Sequence, residues 1–157
     1  MKVRAAAAVL AAVLAAGWGT SAWSEGQKQS EVPERVKNAP MTVTIAGSRV
    51  TLEAHVWVNL LPGPKVRSDV VRIAARLLVL GQRADISVAR LWLVSQTGEP
   101  VEASVLSSQL TQEGVRASAT VASPRDLVAK TWVVAEIRYP AGTLLIRSPE
   151  TAIQQAR

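Results

Sequence analysis

Hydrophobic and polar residues alternate along most of this chain, and the clearest stretch begins at Leu52. Five apolar residues fall on one side of it (Leu52, Ala54, Val56, Val58 and Leu60), and the residues between them fall on the other (Glu53, His55, Trp57 and Asn59). A period of two, with β-branched and aromatic residues, is typical of a half-buried β-strand. Leu61-Pro62-Gly63-Pro64 then ends the strand, since proline cannot donate to a ladder and Pro-Gly favours a turn.

The same alternation predicts strands along the rest of the chain, separated by turn signals. They are Met41–Ile45, Val70–Leu80, Ile86–Ser95, Val101–Val105, Val115–Val121, Ala129–Tyr139 and Thr143–Arg147. Three of them have clear predicted inner faces, which are Val71, Ile73, Ala75, Leu77 and Val79, then Val115, Ala117, Ala119 and Val121, then Thr131, Val133, Ala135, Ile137 and Tyr139. The residues between these are predicted to face outward, among them Arg72, Ala74, Arg76, Arg116, Ser118, Thr120, Lys130, Trp132 and Arg138. Ala46-Gly47-Ser48 predicts a hairpin between the first of these and the stretch described above. For Val70–Leu80 a helix is the alternative, but the alternation and the stop at Gly81 favour a strand. Leu106 to Gly114 is polar and is predicted to be a loop.

The predicted strand Ile86–Ser95 has two registers. One register buries Ile86, Val88, Trp92 and Val94 and carries Arg90 on the same face; the other buries Ala89, Leu91 and Leu93. The first is favoured because a buried tryptophan removes more apolar area from water than a leucine does. Arg90 would then lie near an end of the sheet, where its charged head reaches water.

Seven or eight strands without a convincing helix predict an all-β fold, a single antiparallel β-sandwich. From Met41 to Ile153 this layout resembles the immunoglobulin-like and fibronectin type III-like domains, and it is similar to small exported bacterial proteins of unassigned function. The resemblance implies that Trp92 is the core tryptophan of the third strand. The cysteine pair of antibody domains is absent, and Tyr139 lies at the end of its strand, so the tyrosine-corner comparison fails. Because this fold carries many functions, function must be argued from a site.

Residues 1–24 have the composition of a secretory signal peptide. Lys2 and Arg4 precede an apolar run from Ala5 to Ala16, and Ala22-Trp23-Ser24 places small residues where a signal peptidase cleaves. The apolar run is too short to span a bilayer core of about 30 Å. We therefore expect cleavage after Ser24 and export to the periplasm or the medium. An uncleaved anchor is the alternative.

Residues 25–40 and 41–157 complete the predicted organisation, as a flexible lead-in and the β domain. The lead-in is polar, mixed in charge and contains two prolines, so it cannot bury much apolar surface. The chain has no cysteine, so an exported domain must draw its stability from its core. Its formal charge of +6 becomes +4 (6 − 2) when Lys2 and Arg4 leave with the signal peptide. Nucleic acid is not an expected partner of an exported protein.

The sequence offers few candidate residues for catalysis or for metal binding. His55 is the only histidine, so a Ser-His-Asp arrangement would have to use it, and no G-x-S-x-G elbow is present. The sequence therefore predicts no enzyme and no cofactor. Glu53 and His55 are two apart on one strand face and could both reach an ion, but a site needs three or four ligands. No metal site is predicted, and a periplasmic metal carrier remains the weakest of the functional alternatives.

The aromatic residues give the sharper hypothesis. Trp57 and Trp132 both point away from the predicted core faces, and large apolar groups on a solvent face mark contact surfaces. If their strands share a sheet, the two rings would form a binding surface with His55, Lys130 and Arg138. The alternative is that the Met41–Ile45 hairpin, the lead-in or a sheet twist covers one or both rings.

The sequence thus predicts an exported, non-catalytic binding or structural module. Its expected partner is another protein in the envelope or the extracellular space. A glycan-binding module that stacks sugars on tryptophan is the alternative.

Overall fold

The computed structural model describes residues 32–59, 70–82, 84–96, 98–122 and 130–156. A short helix includes residues 32–37. The strands are β1 (Thr42–Ile45), β2 (Ser48–Asn59), β3 (Val70–Leu80), β4 (Ser87–Ser95), β5 (Val101–Thr111), β6 (Gly114–Ala122), β7 (Thr131–Tyr139), β8 (Gly142–Arg147) and β9 (Gln154–Ala156). The predicted signal peptide, the first part of the lead-in and the turn at Leu61–Pro64 lie outside the described residues.

The strands form one sheet that curls into a nearly closed barrel. Strands β1 to β8 follow the hydrogen-bonded order β1-β2-β3-β6-β5-β4-β7-β8. All of these pairings are antiparallel, and β9 adds a short parallel pairing to β2. The prediction of an all-β antiparallel fold is confirmed. The finer prediction of an immunoglobulin-like sandwich is not confirmed, because the strand order is continuous from β1 to β8.

Contacts between the two ends of the domain close most of the remaining gap. The Arg147 amide of β8 donates to the Pro40 carbonyl, just before β1, at 2.8 Å. Thr131 and Thr151 exchange two backbone hydrogen bonds of 3.0 and 2.7 Å, which carry the C-terminal segment across the end of the sheet towards β2. Closure matters because an unpaired sheet edge leaves backbone donors and acceptors exposed.

The interior of the barrel is filled by aliphatic side chains from the alternating strands. The predicted inner faces of β2, β3, β6 and β7 are confirmed in the core cluster, which contains Leu52, Val56, Val58, Val71, Ile73, Ala75, Leu77, Val115, Ala117, Ala119, Val121, Val133, Ala135 and Ile137. The β1–β2 hairpin is confirmed as well. Its two turn residues have positive φ (Ala46 48°, Gly47 80°), as the tight hairpin turn that matches sheet twist requires.

Strand β4 changes face part-way along, which neither predicted register allowed. Val88 pairs with Ile137 and Arg90 pairs with Glu136, so Ala89 is an extra residue that makes a β-bulge. Before the bulge Ile86 and Val88 face the interior, and after it Leu91 and Leu93 do. The favoured register is therefore correct for Ile86 and Val88 and wrong for Trp92 and Val94. Arg90 is exposed.

A second, smaller apolar cluster lies on the outer face of β4 and β7, beneath the helix of residues 32–37. It contains Val36, Ala39, Trp92, Val94, Trp132 and Val134, with Leu145 packed beside it. Trp92 is therefore buried outside the barrel, and its predicted place as the core tryptophan is wrong. Residues 32–37 of the predicted flexible lead-in form this helix, and Val36, which is only 1% exposed, packs in the cluster with the two rings.

The predicted loop at Leu106–Gly114 is also wrong, since β5 continues to Thr111. Only Ala103 of this strand is buried. A strand with so little burial shows no clear hydrophobic alternation, so it escapes a search by periodicity. Its ladder with β6 holds it in place.

Within the described part of the chain, no helix is long and apolar enough to cross a membrane.

Gly114 provides a test of the tight contact between β3 and the start of β6. Its φ is 145°, and a Cβ at this position would overlap the backbone carbonyl of Leu77. Gly142 has a similar φ of 149°, but a Cβ there would meet open space. We expect Gly142→Ala to lower the free energy of unfolding by about 1–2 kcal/mol through backbone strain, and Gly114→Ala to lower it by at least about 1 kcal/mol more. Urea denaturation measures both, and equal losses would contradict the close approach.

Val36 tests whether the helix shields the two outer tryptophans. Val36→Asp places an unpaired charge in the apolar cluster, so we expect the helix to leave the sheet and the rings to meet water. In a chain without residues 1–24 that carries Trp57→Phe, this gives red-shifted tryptophan emission and stronger acrylamide quenching. Val32→Asp is the control, because Val32 is on the same helix and 44% exposed. The same response in both variants would show that the helix does not cover the rings.

Candidate binding groove on the outer sheet face

The outer face of β2, β3, β6 and β5 carries polar residues in rows that run across the strands. One row joins His55, Ala74, Ser118 and Ser107, each opposite the next. The adjacent row joins Glu53, Arg76, Arg116 and Gln109 in the same way. Both rows follow from the period of two, because side chains that point outward on one strand pair with outward side chains on its neighbours.

The row with small side chains forms the floor of a groove of about 390 Å³. Ala74, Ser107 and Ser118 leave space between the longer residues of the neighbouring row. The two serine hydroxyls lie 2.7 Å apart and share a hydrogen bond. This volume lies within the range of small-molecule sites, so the groove can hold a ligand fragment or a side chain of a partner.

The row with long side chains puts two positive charges directly opposite each other. Arg76 on β3 faces Arg116 on β6, and like charges at opposed positions destabilise a sheet. Arg76 is balanced by an ion pair with Glu113, in the β5–β6 turn. Arg116 is exposed and forms no ion pair within the described part of the chain. Its guanidinium is therefore available to an anion.

Arg76 also has one side-chain donor without a hydrogen-bond partner. Its Nε atom is buried, and it has no hydrogen-bond partner among the described residues. A buried donor without a partner costs free energy, but because this atom is not accessible to solvent it is not offered to a ligand. The accessible donors of Arg116, the two serines and Gln109 make the groove suited to a ligand rich in acceptors, above all a carboxylate.

Two of the predicted site residues belong to this face of the sheet. His55 is exposed and lines the groove. Trp57 lies two residues further along β2, is half-buried, and stands opposite Arg72 of β3 and Gln154 of β9. The structure therefore brings His55 and Trp57 together, as their shared strand face predicted.

The other three predicted site residues lie on or beside β7, which is not a neighbour of β2 in the sheet. Lys130 and Arg138 are exposed at its two ends. Trp132 is only 9% exposed, because the helix covers it and Arg147 stacks over its ring, with Cζ 5.8 Å from the centroid. Trp132 does point away from the barrel interior, as predicted, but its ring is covered by the lead-in, which is the alternative given above. The five residues do not form one surface.

Glu53 and His55 both line the groove, as the metal-carrier alternative requires. The described residues contain no group of three or more His, Cys, Asp or Glu side chains that could hold an ion.

The residues that sequence reasoning missed are the basic and polar ones of the neighbouring strands, above all Arg76, Arg116 and Gln109. Arg76 and Arg116 were correctly assigned to outward faces, but nothing in the sequence showed that β3 pairs with β6. Gln109 fell in the predicted loop. The available signal was that Arg and small residues alternate on the outward faces of both strands, as Arg72, Ala74 and Arg76 on β3 and as Arg116 and Ser118 on β6.

No protein-family model, no curated protein and no solved structure matches this chain.

The opposed arginines predict an effect on stability. Arg116→Gln removes one of two facing positive charges, so we expect the free energy of unfolding to stay constant or rise by up to about 1 kcal/mol. Arg138→Gln is the control, since Arg138 pairs with the neutral residues Ser87 and Thr143 and its loss should bring no gain. Urea denaturation at low salt measures both. A marked loss of stability in Arg116→Gln alone would assign Arg116 a structural role.

Proposed function

We propose that this chain is an exported, non-catalytic binding module that holds an acidic segment of a partner protein of the cell envelope in the outer groove. The observation that carries the proposal is the pair of facing arginines beside an open groove. Like charges at opposed positions weaken a sheet. Glu113 neutralises Arg76, but Arg116 is exposed and has no ion pair in the described part of the chain, so an anionic ligand would supply its missing counter-charge.

The charge and shape of the groove support an acidic partner. Arg116 lines it without an ion pair in the described part of the chain, and Arg76 lines it beside the carboxylate of Glu53 while paired with Glu113. Guanidinium groups bind carboxylates in a bidentate fork, which gives orientation as well as affinity. Export is supported by the composition of residues 1–24, and the likeness to immunoglobulin-like domains stays a prediction.

A glycan is the second candidate, and Trp57 is the observation that favours it. Its ring is half-buried on the same face, two residues from His55. A ring in this position offers an apolar plane beside the hydrogen-bonding side chains of Arg72 and Gln154, which stand opposite it, and this arrangement suits a sugar.

A titration with two matched peptides tests the main proposal. We expect oligo-glutamate to bind the protein in a salt-dependent way, and oligo-glutamine not to bind. Arg116→Glu should weaken oligo-glutamate binding by at least about tenfold, which corresponds to 1.4 kcal/mol. Isothermal titration calorimetry at two salt concentrations gives the affinities.

Arg138→Glu is the matched control, because it makes the same charge change on an exposed residue of β7. Equal losses in the two variants would mean that only net charge matters, and would refute a site in the groove. Retention on a polysaccharide column that is lost in Trp57→Ala but kept in Arg116→Glu would favour the glycan candidate instead.

A further inference from the structure

Strand β5 has a long free edge. It pairs with β4 only through Val101, Glu102 and Ala103. Beyond Ala103 the strand bends away at an irregularity between Val105 and Ser107 and keeps only its ladder with β6. Among the described residues, no strand pairs with the other edge of β5 from Ser104 to Thr111.

The edge lacks most of the features that protect sheet edges from pairing. Residues 103–111 contain no charged residue and no proline, and charge, proline and short length are the usual protections. By contrast, the edge strand β1 has only four residues and begins beside the Pro40–Arg147 hydrogen bond. The bulge is the one protective feature of β5, and it leaves the residues after it extended.

Exposed apolar side chains are concentrated on the same strand. Seven large hydrophobic residues are exposed in the described part of the chain, and four of them belong to β5: Val101, Val105, Leu106 and Leu110. Leu106 is 67% exposed and Leu110 is 56% exposed. Leu110 pairs with Val115 of the inner face, so it points to the interior side at a place where the barrel is open.

We infer that a second copy of this chain pairs with this edge, strand β5 against strand β5 in antiparallel orientation. The sequence of β5 is complementary to itself when Ser108 of one copy lies opposite Ser108 of the other. Leu106 then faces Leu110 of the second copy, and the symmetric contact repeats it. A shift of two residues, the smallest that keeps each side chain on its own face, would place Leu106 or Leu110 opposite Ser108 and lose the leucine pairs.

The pairing also has a consequence for the groove, although the inference does not rest on the proposed function. Ser107 and Gln109 line the groove and belong to β5. Two copies joined along β5 would carry their grooves side by side on one continuous sheet, with the two-fold axis between them.

A set of charge variants tests both the dimer and its register. The full chain is expressed, purified as the host processes it, and followed by sedimentation velocity over a dilution series. We expect a monomer–dimer equilibrium. In Leu106→Lys/Leu110→Lys, lysines face lysines, so the dimer should form only at concentrations at least about tenfold higher. In Leu106→Glu/Leu110→Lys, opposite charges face each other, so the dimer should persist and weaken with salt.

Leu80→Lys is the control, because Leu80 is 60% exposed on β3 and lies outside the proposed contact. All four substitutions are on exposed side chains, and circular dichroism verifies the fold. A protein that is monomeric at every concentration overturns the inference. A dimer that survives the double lysine change overturns the role of β5, and a Glu/Lys variant that fails to pair overturns the Ser108 register. A protein that stays monomeric and binds a different protein through β5 would also overturn the inference, and would assign this edge to that partner.

Discussion

The burial of one apolar sheet face governs the rest of this structure. A sheet with aliphatic residues on one side must cover that side, and here it does so by curling until its own strands face each other across the interior. Alanines at positions 75, 117, 119 and 135 are among the residues buried on this inner face. Over β2, β3, β6 and β5 the outer face does not have to bury apolar side chains. Polar side chains can therefore line a groove there.

The bulge at Ala89 shows how the same constraint is met on the other side of the barrel. One extra residue lets β4 supply Val88 and then Leu91 to the interior, while Trp92 and Val94 turn outward. The outward rings then need a cover of their own. The helix of residues 32–37 supplies it, so a local change of register on β4 explains why the segment before β1 is folded at all.

Alternation along single strands could be read from the sequence, but relations between strands could not. The inner faces of β2, β3 and β7 are correct because each strand carries its own pattern. Trp92 was misplaced because a bulge leaves no mark in the pattern. Only the first part of β5, Val101–Val105, is predicted, and its continuation to Thr111 is missed because most residues of β5 are exposed on both faces. For the same reason, the sequence predicts which residues of one strand share the groove face, but not which residues of different strands meet there. His55 and Trp57 share a strand, whereas the meeting of Arg76 with Arg116 depends on a β3–β6 pairing between residues forty positions apart.

The position of β9 has a consequence for the order of folding. β2 comes early in the sequence, yet one of the strands that pair with it is β9. The Thr131–Thr151 hydrogen bonds likewise form only when the C-terminal segment is present. Contacts between residues so distant in sequence are slow to form, because the loop between them must close first. The barrel therefore cannot finish closing on a partly synthesised chain. Its late closure keeps the apolar face accessible until β9 is available, and an apolar face left open in this way is exposed to aggregation.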